Sequence, residues 1–165
     1  SCFVPKPFTA FQWEGQDTLE ELVDKQNHLR DCVRGEKHIR YNWHEAKVSR
    51  IEAVFARGDR KLSRALLEAH RMGLKFDGWD EFFDYDKWLE AFRLAGVDPA
   101  FYANRDFGLD EVLPWDVIDC GVTKEFFRRE REKAYCSKTT PNCREHCSGC
   151  GANRLGGERT CCPHQ

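Results

Sequence analysis

The chain has one methionine and six prolines among its 165 residues. No apolar run approaches the ~18 residues that a membrane-spanning helix requires. Ser1 is not followed by a basic stretch running into an apolar segment of the kind that directs secretion. An excess of one charge sign is missing too: 26 Lys and Arg stand against 28 Asp and Glu, a net charge of −2. That balance gives no electrostatic reason to expect nucleic acid or an anionic membrane as a partner. A Gly-rich phosphate loop and a nucleophile elbow around serine are also absent, which removes the commonest nucleotide-binding and hydrolase signatures. These absences leave a cytoplasmic, globular chain as the expectation. With 41% apolar and 13% aromatic residues, it can bury a core. Its length suits one domain or one domain plus a small appendage.

Nine cysteines are present, and their distribution is lopsided. Cys136, Cys143, Cys147, Cys150, Cys161 and Cys162 crowd the end of the chain, while Cys2, Cys32 and Cys120 are scattered. A secreted disulfide scaffold spreads its cysteines through the chain. Clustering beside a conventional core points instead to metal binding in a reducing compartment, with the scattered three read as small buried apolar residues. Charge is uneven as well. Residues 124–165 hold nine basic and five acidic side chains, a balance of +4, which leaves −6 on residues 1–123. The basic stretch reads either as a solvated helix or as an electrostatic dock.

Periodicity places the elements. Ser1–Pro5 is expected as a short buried strand, stopped by Pro5 and Pro7, which lack the ladder N–H. Thr18-x-x-Glu21 is a capping box opening an amphipathic helix with Leu19, Leu22, Val23 and Leu29. Ile39, Tyr41 and Trp43 alternate with polar residues, so 37–43 is expected as a second strand. Strand, helix and strand make a βαβ-like unit too small for a sheet of its own. With Ser1 opening directly on a strand, the chain reads as a carboxy-terminal piece of a larger protein. Residues 45–96 read as helices, with stripes Val48, Ile51, Phe55 and Leu62, Ala65, Leu66, Ala69, Met72. Between the stripes, Arg57-Gly58-Asp59 reads as a helix stop followed by an Asp N-cap. Asp84 caps a further helix carrying Trp88 and Phe92, and Asp98-Pro99 starts a short helical turn. Residues 104–122 are irregular. Thr123 caps a charged helix from Lys124 to Tyr135. The tail after it has almost no apolar content, so hydrophobic burial cannot order it.

Metal chemistry is the tail's natural source of order, the alternatives being a redox-active Cys-x-x-Cys pair and an incidental cluster of thiols. In Cys147-Ser148-Gly149-Cys150-Gly151, two intervening residues let both thiolates reach one ion, and the small glycines let backbone N–H groups turn toward the sulfurs. Cys143 supplies a third thiolate. A fourth ligand comes from Cys136, Cys161, Cys162, His146 or His164, with Cys162 as the candidate. Tetrahedral zinc accepts such a mixture, and thiolates equally suit iron–sulfur clusters. Cys143-x3-Cys147-x2-Cys150 has the spacing of the catalytic 4Fe–4S site of radical S-adenosylmethionine (SAM) enzymes. There it follows the first strand of a barrel. Here it follows a helix in a Gly-rich tail, which favours structural zinc or an auxiliary cluster. Other constellations are weaker. His44-Glu45 opens a helix, and Asp77, Asp80 and Glu81 around Trp79 read as a solvated turn. Lys6, between two prolines at a strand end, is a candidate for contact with cofactor or substrate.

Several blocks carry a resemblance. Residues 3–13, FVPKPFTAFQW, resemble the FVPKP-x-TPFQW segment in the last strand of radical SAM barrels. Ser49, Glu52 and Arg57-Gly58-Asp59-Arg60 resemble the S-x-x-E-x-x-x-x-RGDR stretch that follows it. Phe76-Asp77-Gly78-Trp79, Leu113-Pro114-Trp115-Asp116 with Ile118-Asp119, and Thr140-Pro141-Asn142-Cys143-Arg144 continue the match in order. Together they resemble the carboxy-terminal part of a bacterial family of radical SAM proteins with an amino-terminal cobalamin-binding domain. The resemblance implies an enzyme that cleaves SAM to a 5′-deoxyadenosyl radical, acting on an unassigned substrate, with its cobalamin site and SAM cluster upstream of Ser1. It also shows two departures. Ala152-Asn153 stands where the family has another cysteine, so either Cys161 or Cys162 replaces that ligand or the site is incomplete, and Asn142 stands where Asp is usual.

The expected architecture is therefore α+β and mostly helical. Residues 1–44 would finish a radical SAM barrel, 45–135 form a helical extension, and 136–165 form a Cys-rich, metal-ordered tail. The upstream barrel of the same polypeptide is the expected partner. The rival is a non-enzymatic zinc-knuckle module that docks a protein or RNA through the basic 124–135 helix.

Overall fold

The computed structural model describes residues 3–154. The chain divides into two compact units, one formed by Ser1–Pro5 with Glu14–Asp106 and the other by Lys6–Trp13 with Phe107–Gln165. All regular secondary structure among the described residues is helical. The first unit holds α1 (Leu19–Cys32), α2 (Ala46–Arg57), α3 (Leu62–Arg71), α4 (Tyr85–Ala95) and α5 (Pro99–Ala103). The second holds α6 (Lys124–Tyr135) and a 3-10 turn at Ala152–Arg154. No helix among the described residues is long and apolar enough to cross a membrane.

Side-chain caps start most of these helices. Thr18 Oγ1 accepts from Glu21 N at 3.3 Å while Glu21 Oε2 accepts from Thr18 N at 2.8 Å, a reciprocal box that satisfies two orphan donors of α1. Asp84 accepts from Lys87 N at 3.0 Å, and Asp98 from Ala100 N at 2.9 Å ahead of Pro99. Thr123 accepts from Phe126 N at 3.2 Å. The break after α2 keeps the expected stop at Gly58 but not the expected Asp N-cap. Gly58 is extended, at φ −76°, and the residue capping α3 is Lys61, which offers no side-chain bond. Asp59 instead accepts from Lys61 N at 2.8 Å, two residues earlier than an N-cap would stand. Space, not a left-handed backbone, selects glycine here: a Cβ on Gly58 would lie 1.9 Å from Leu62 Cδ1 and 2.9 Å from Val54 O.

In the first unit α3 packs on α4, and α2 on α5. Ala53, Ala65, Ala91 and Ala103 are fully buried at the contacts, so the helices approach closely while Val54, Trp88 and Phe92 fill the remaining volume. Arg57 is fully buried among them. Its guanidinium donates to the carbonyls of Tyr102 (2.6 Å), Ala103 (2.9 Å) and Arg105 (2.6 Å), which closes the carboxyl end of α5 onto α2. Gly15 permits the incoming chain to lie against this corner, because a Cβ there would meet Asn104 O at 2.1 Å.

The second unit is organised around aromatic side chains. Trp13, Phe107, Leu113, Trp115 and Phe127 form its buried cluster. Phe107 N donates to Trp13 O at 2.7 Å, and Trp115 Nε1 donates to Gln12 Oε1 at 2.7 Å, so residues 6–13 are tied into the irregular 107–122 segment.

The two expected strands do not form among the described residues. Residues 3–6 and 39–45 take no regular structure. A strand needs a ladder partner, and no second run here supplies one. The alternation in 37–43 survives only as a stack of Tyr41 on Trp43, with ring centroids 5.3 Å apart.

Candidate metal-binding tail and a cavity beside it in the second unit

The tail is held by polar contacts to α6, where its sequence offers no apolar anchor. Arg129 donates to Ser148 O at 3.2 Å and Gly149 O at 3.3 Å. Thr123 N donates to Cys150 O at 2.9 Å. Thr140 Oγ1 bonds Glu130, which also pairs with Lys133 at 2.8 Å. Asn142 shapes the next turn: its Oδ1 accepts from Arg144 N at 2.7 Å and its carbonyl from Glu145 N and His146 N. These contacts tie Thr140 and residues 148–150 to α6 and its cap, and none of them involves a thiol.

The backbone around Cys150 turns sharply. Gly149 (φ 66°) and Gly151 (φ 97°) are left-handed on either side of Cys150, a conformation that only glycine adopts at little cost. A Cβ on Gly151 would also meet Thr123 Cγ2 at 2.8 Å. The thiols themselves are not gathered. Cys143 and Cys147 are exposed and Cys150 is half-buried. Among the described residues no group of three or more Cys, His, Asp or Glu is arranged to hold a metal. Cys162, with Cys161 and His164, lies outside the described residues. The described part therefore fits a two-thiolate knuckle in backbone form and falls short of a complete ligand set.

Lys6 is exposed and its carbonyl accepts from Thr9 Oγ1 at 2.9 Å, next to buried Pro5. It stands outside the lining of a cavity in the same unit. That cavity, of about 350 Å³, has no counterpart among the sequence expectations. Gln12 and Lys124 line it together with Asp116, and Phe8, Val122 and Phe127 form apolar walls. Its signal in the sequence is Leu113-Pro114-Trp115-Asp116, a compact turn in which Leu113 and Trp115 go inward and Asp116 Oδ2 accepts from Leu113 N at 2.9 Å. Burial alone would raise the Asp116 carboxyl, but the bonds from Lys124 (2.7 Å) and from Leu113 N hold it below its ordinary value.

No family model, no curated protein and no solved structure matches the chain.

Proposed function

We propose that the chain is the carboxy-terminal portion of a radical SAM iron–sulfur enzyme. In this reading its tail binds zinc or an auxiliary 4Fe–4S cluster through Cys143, Cys147 and Cys150, with Cys162 closing the site. The observation that carries the metal reading is the left-handed backbone at Gly149 and Gly151 flanking Cys150, anchored to α6 through Thr123 and Arg129. Two glycines in that conformation free N–H groups to face the sulfurs, and charge-assisted N–H···S bonds stabilise bound thiolates.

The enzyme reading draws on the resembling blocks. Trp13, Arg57, Leu113 and Trp115 belong to those blocks, and each is buried and holds its own unit together. Residues that a family keeps for its fold are of this kind, and none of them is a catalytic group. SAM cleavage and cobalamin chemistry would belong to the rest of the polypeptide. Lys6 remains a candidate for contact with cofactor or substrate there.

The rival binding-module reading draws less support, because the basic side chains of α6 have partners within the second unit. Lys124 pairs with Asp116 (2.7 Å), Arg128 with Asp110 (2.8 Å) and Lys133 with Glu130. Arg129 bonds the knuckle carbonyls, and Arg131 lies 4.8 Å from the centre of the Tyr135 ring.

The test is metal and sulfide content with an absorption spectrum on anaerobically reconstituted chain. A bound cluster of about four irons with sulfide, or one zinc, that is lost in Cys147→Ser and Cys150→Ser supports the site. Metal binding that is absent, or unchanged in both variants, overturns it. SAM cleavage by these 165 residues alone would return the three cysteines to catalysis and overturn the auxiliary role.

A further inference from the structure

We infer that the cavity lined by Gln12, Asp116 and Lys124 is a binding site for a small uncharged ligand that carries a carbonyl-type acceptor beside a compact apolar body. The inference does not depend on the metal or the enzyme reading.

Gln12 is the central observation. The residue is only 3% exposed, yet it lines the cavity. Its Oε1 accepts from Trp115 Nε1 at 2.7 Å and from Phe8 N at 3.2 Å. Both partners are donors, so the amide oxygen must face them and the NH2 must face away. Among the described residues that NH2 makes no hydrogen bond. A buried amide with two idle donors at the wall of a cavity is a ready receptor for an acceptor.

Lys124 reinforces it. The ammonium has three donors, of which Asp116 Oδ2 (2.7 Å) and Glu111 O (2.9 Å) take two. One remains. The lining carries one cation, Lys124, against two carboxylates, Asp116 and Asp119. An anionic ligand meets that net negative charge, and a cationic ligand meets the donors of Gln12. A neutral acceptor satisfies both.

Apart from Cys120, whose thiol donates to Val122 O at 3.6 Å, the rest of the lining is apolar. Phe8, Val122 and Phe127 form the walls, and Ile118 and Val117 stand at the rim, 58% and 86% exposed. Apolar rim side chains left in water are those that a bound apolar body would cover. The volume of about 350 Å³ falls at the lower end of the ~300–1,000 Å³ typical of small-molecule sites.

The experiment uses the full chain, labelled with 15N, and two uncharged probes, benzamide and 2-quinolinone, against benzoate and benzylamine as charged counterparts. The expected result is saturable movement of the Trp115 indole N–H and Gln12 NH2 resonances by at least one uncharged probe, with both charged counterparts several-fold weaker. Ile118→Glu, on the exposed rim, should keep the dispersed spectrum and abolish saturation. Gln12→Leu should abolish it too, but that variant also removes the acceptor for Trp115, so the rim variant carries the decision. Three outcomes would overturn the assignment: no saturable movement with either uncharged probe, equal binding of benzoate, or saturation unchanged in Ile118→Glu.

Discussion

The Tyr102 hydroxyl donates to Asp59 Oδ1 at 3.0 Å, and the same oxygen accepts from Lys61 N at 2.8 Å. One carboxylate oxygen thus joins α5 to the turn that begins α3. Burial, with the Asp59 bond and charge added to it, pushes the Tyr102 phenol up to about 12 from its ordinary 10.0. A group raised on folding stabilises fully below its unfolded value and loses that contribution as pH rises through the folded one. The first unit should therefore hold its stability to about pH 10 and lose it toward pH 12. Burial also raises the Tyr85 phenol, so tyrosinate absorbance should show a late component from both, and Tyr102→Phe should remove the latest part of it. That variant should also lose about 0.5–1.5 kcal/mol at neutral pH, the worth of one hydrogen bond. A variant whose late component is unchanged in size and position would show that Tyr85 carries it.

Arg57 should be the most sensitive position of the first unit. Removing its guanidinium strands the carbonyls of Tyr102 and Arg105, while Ala103 O keeps the Gln16 N–H at 2.7 Å. Arg57→Met should cost ~3 kcal/mol or more, because each buried group left unsatisfied costs about 1–3 kcal/mol. Arg57→Lys keeps the charge but loses the fork, and should recover only part of the loss. Urea unfolding measures both. A Met variant with an unchanged midpoint would mean that the Tyr102 and Arg105 carbonyls find other donors.

These two positions mark how far the sequence is legible. Thr18, Asp84, Asp98 and Thr123 announce their helices because a cap is local: the residue and its target lie within three positions. Arg57 reads in the sequence only as the end of a helix, since its targets lie 45 to 48 residues away. Gln12 is hidden for the same reason, its partner Trp115 being 103 residues on. The 37–43 stretch fails differently. Alternation reports which side of an extended chain is apolar, but a strand also requires a pairing edge, and none is available among the described residues. In the tail, Cys-x-x-Cys-Gly spacing exposes the knuckle, while the completion of the ligand set rests on residues that spacing cannot bring together.

Two glycines should separate steric cost from conformational cost. Gly73 has φ 82°, and a Cβ added there would meet nothing within 4 Å, so Gly73→Ala should cost about 1 kcal/mol from the left-handed backbone alone. Gly15 has no positive φ, but a Cβ there would sit 2.1 Å from backbone Asn104 O. Gly15→Ala should therefore cost more than Gly73→Ala, by at least ~1 kcal/mol, since two backbone segments must move apart. Thermal melts of the pair would decide it, and the reverse order would refute the close approach.

Acid should act on the second unit through two carboxylates. Burial opposes the charge on Asp116 and on Glu130, but Lys124 and Leu113 N at the first, and Lys133 and Thr140 at the second, hold both below their ordinary values of 3.8 and 4.5. A depressed carboxyl stabilises above its unfolded value and loses that contribution as pH falls through the folded one. Stability should thus be flat near neutrality and decline once pH drops below those ordinary values. The Trp115 indole N–H resonance follows the second unit. Asp116→Asn should shrink the acid-dependent part of its transition, and an unchanged acid limb would place the titration elsewhere.

Chelation should leave the helices nearly intact. The four proposed ligands, Cys143, Cys147, Cys150 and Cys162, follow the end of α6 at Tyr135 in the sequence. The knuckle is fastened to that helix by the bonds of Arg129 and Thr123, which need no metal. Removing the metal from a reconstituted chain should therefore change far-ultraviolet circular dichroism little, while protease cleavage within residues 137–151 accelerates. Arg129→Ala should make that segment labile even with metal bound, because the carbonyls of Ser148 and Gly149 lose their donor. Gly151→Ala should do more, forcing a side chain into φ 97° and against Thr123. If chelation instead abolished helical signal, the metal would organise α6 itself, and the hydrogen bonds to the knuckle would be its consequence.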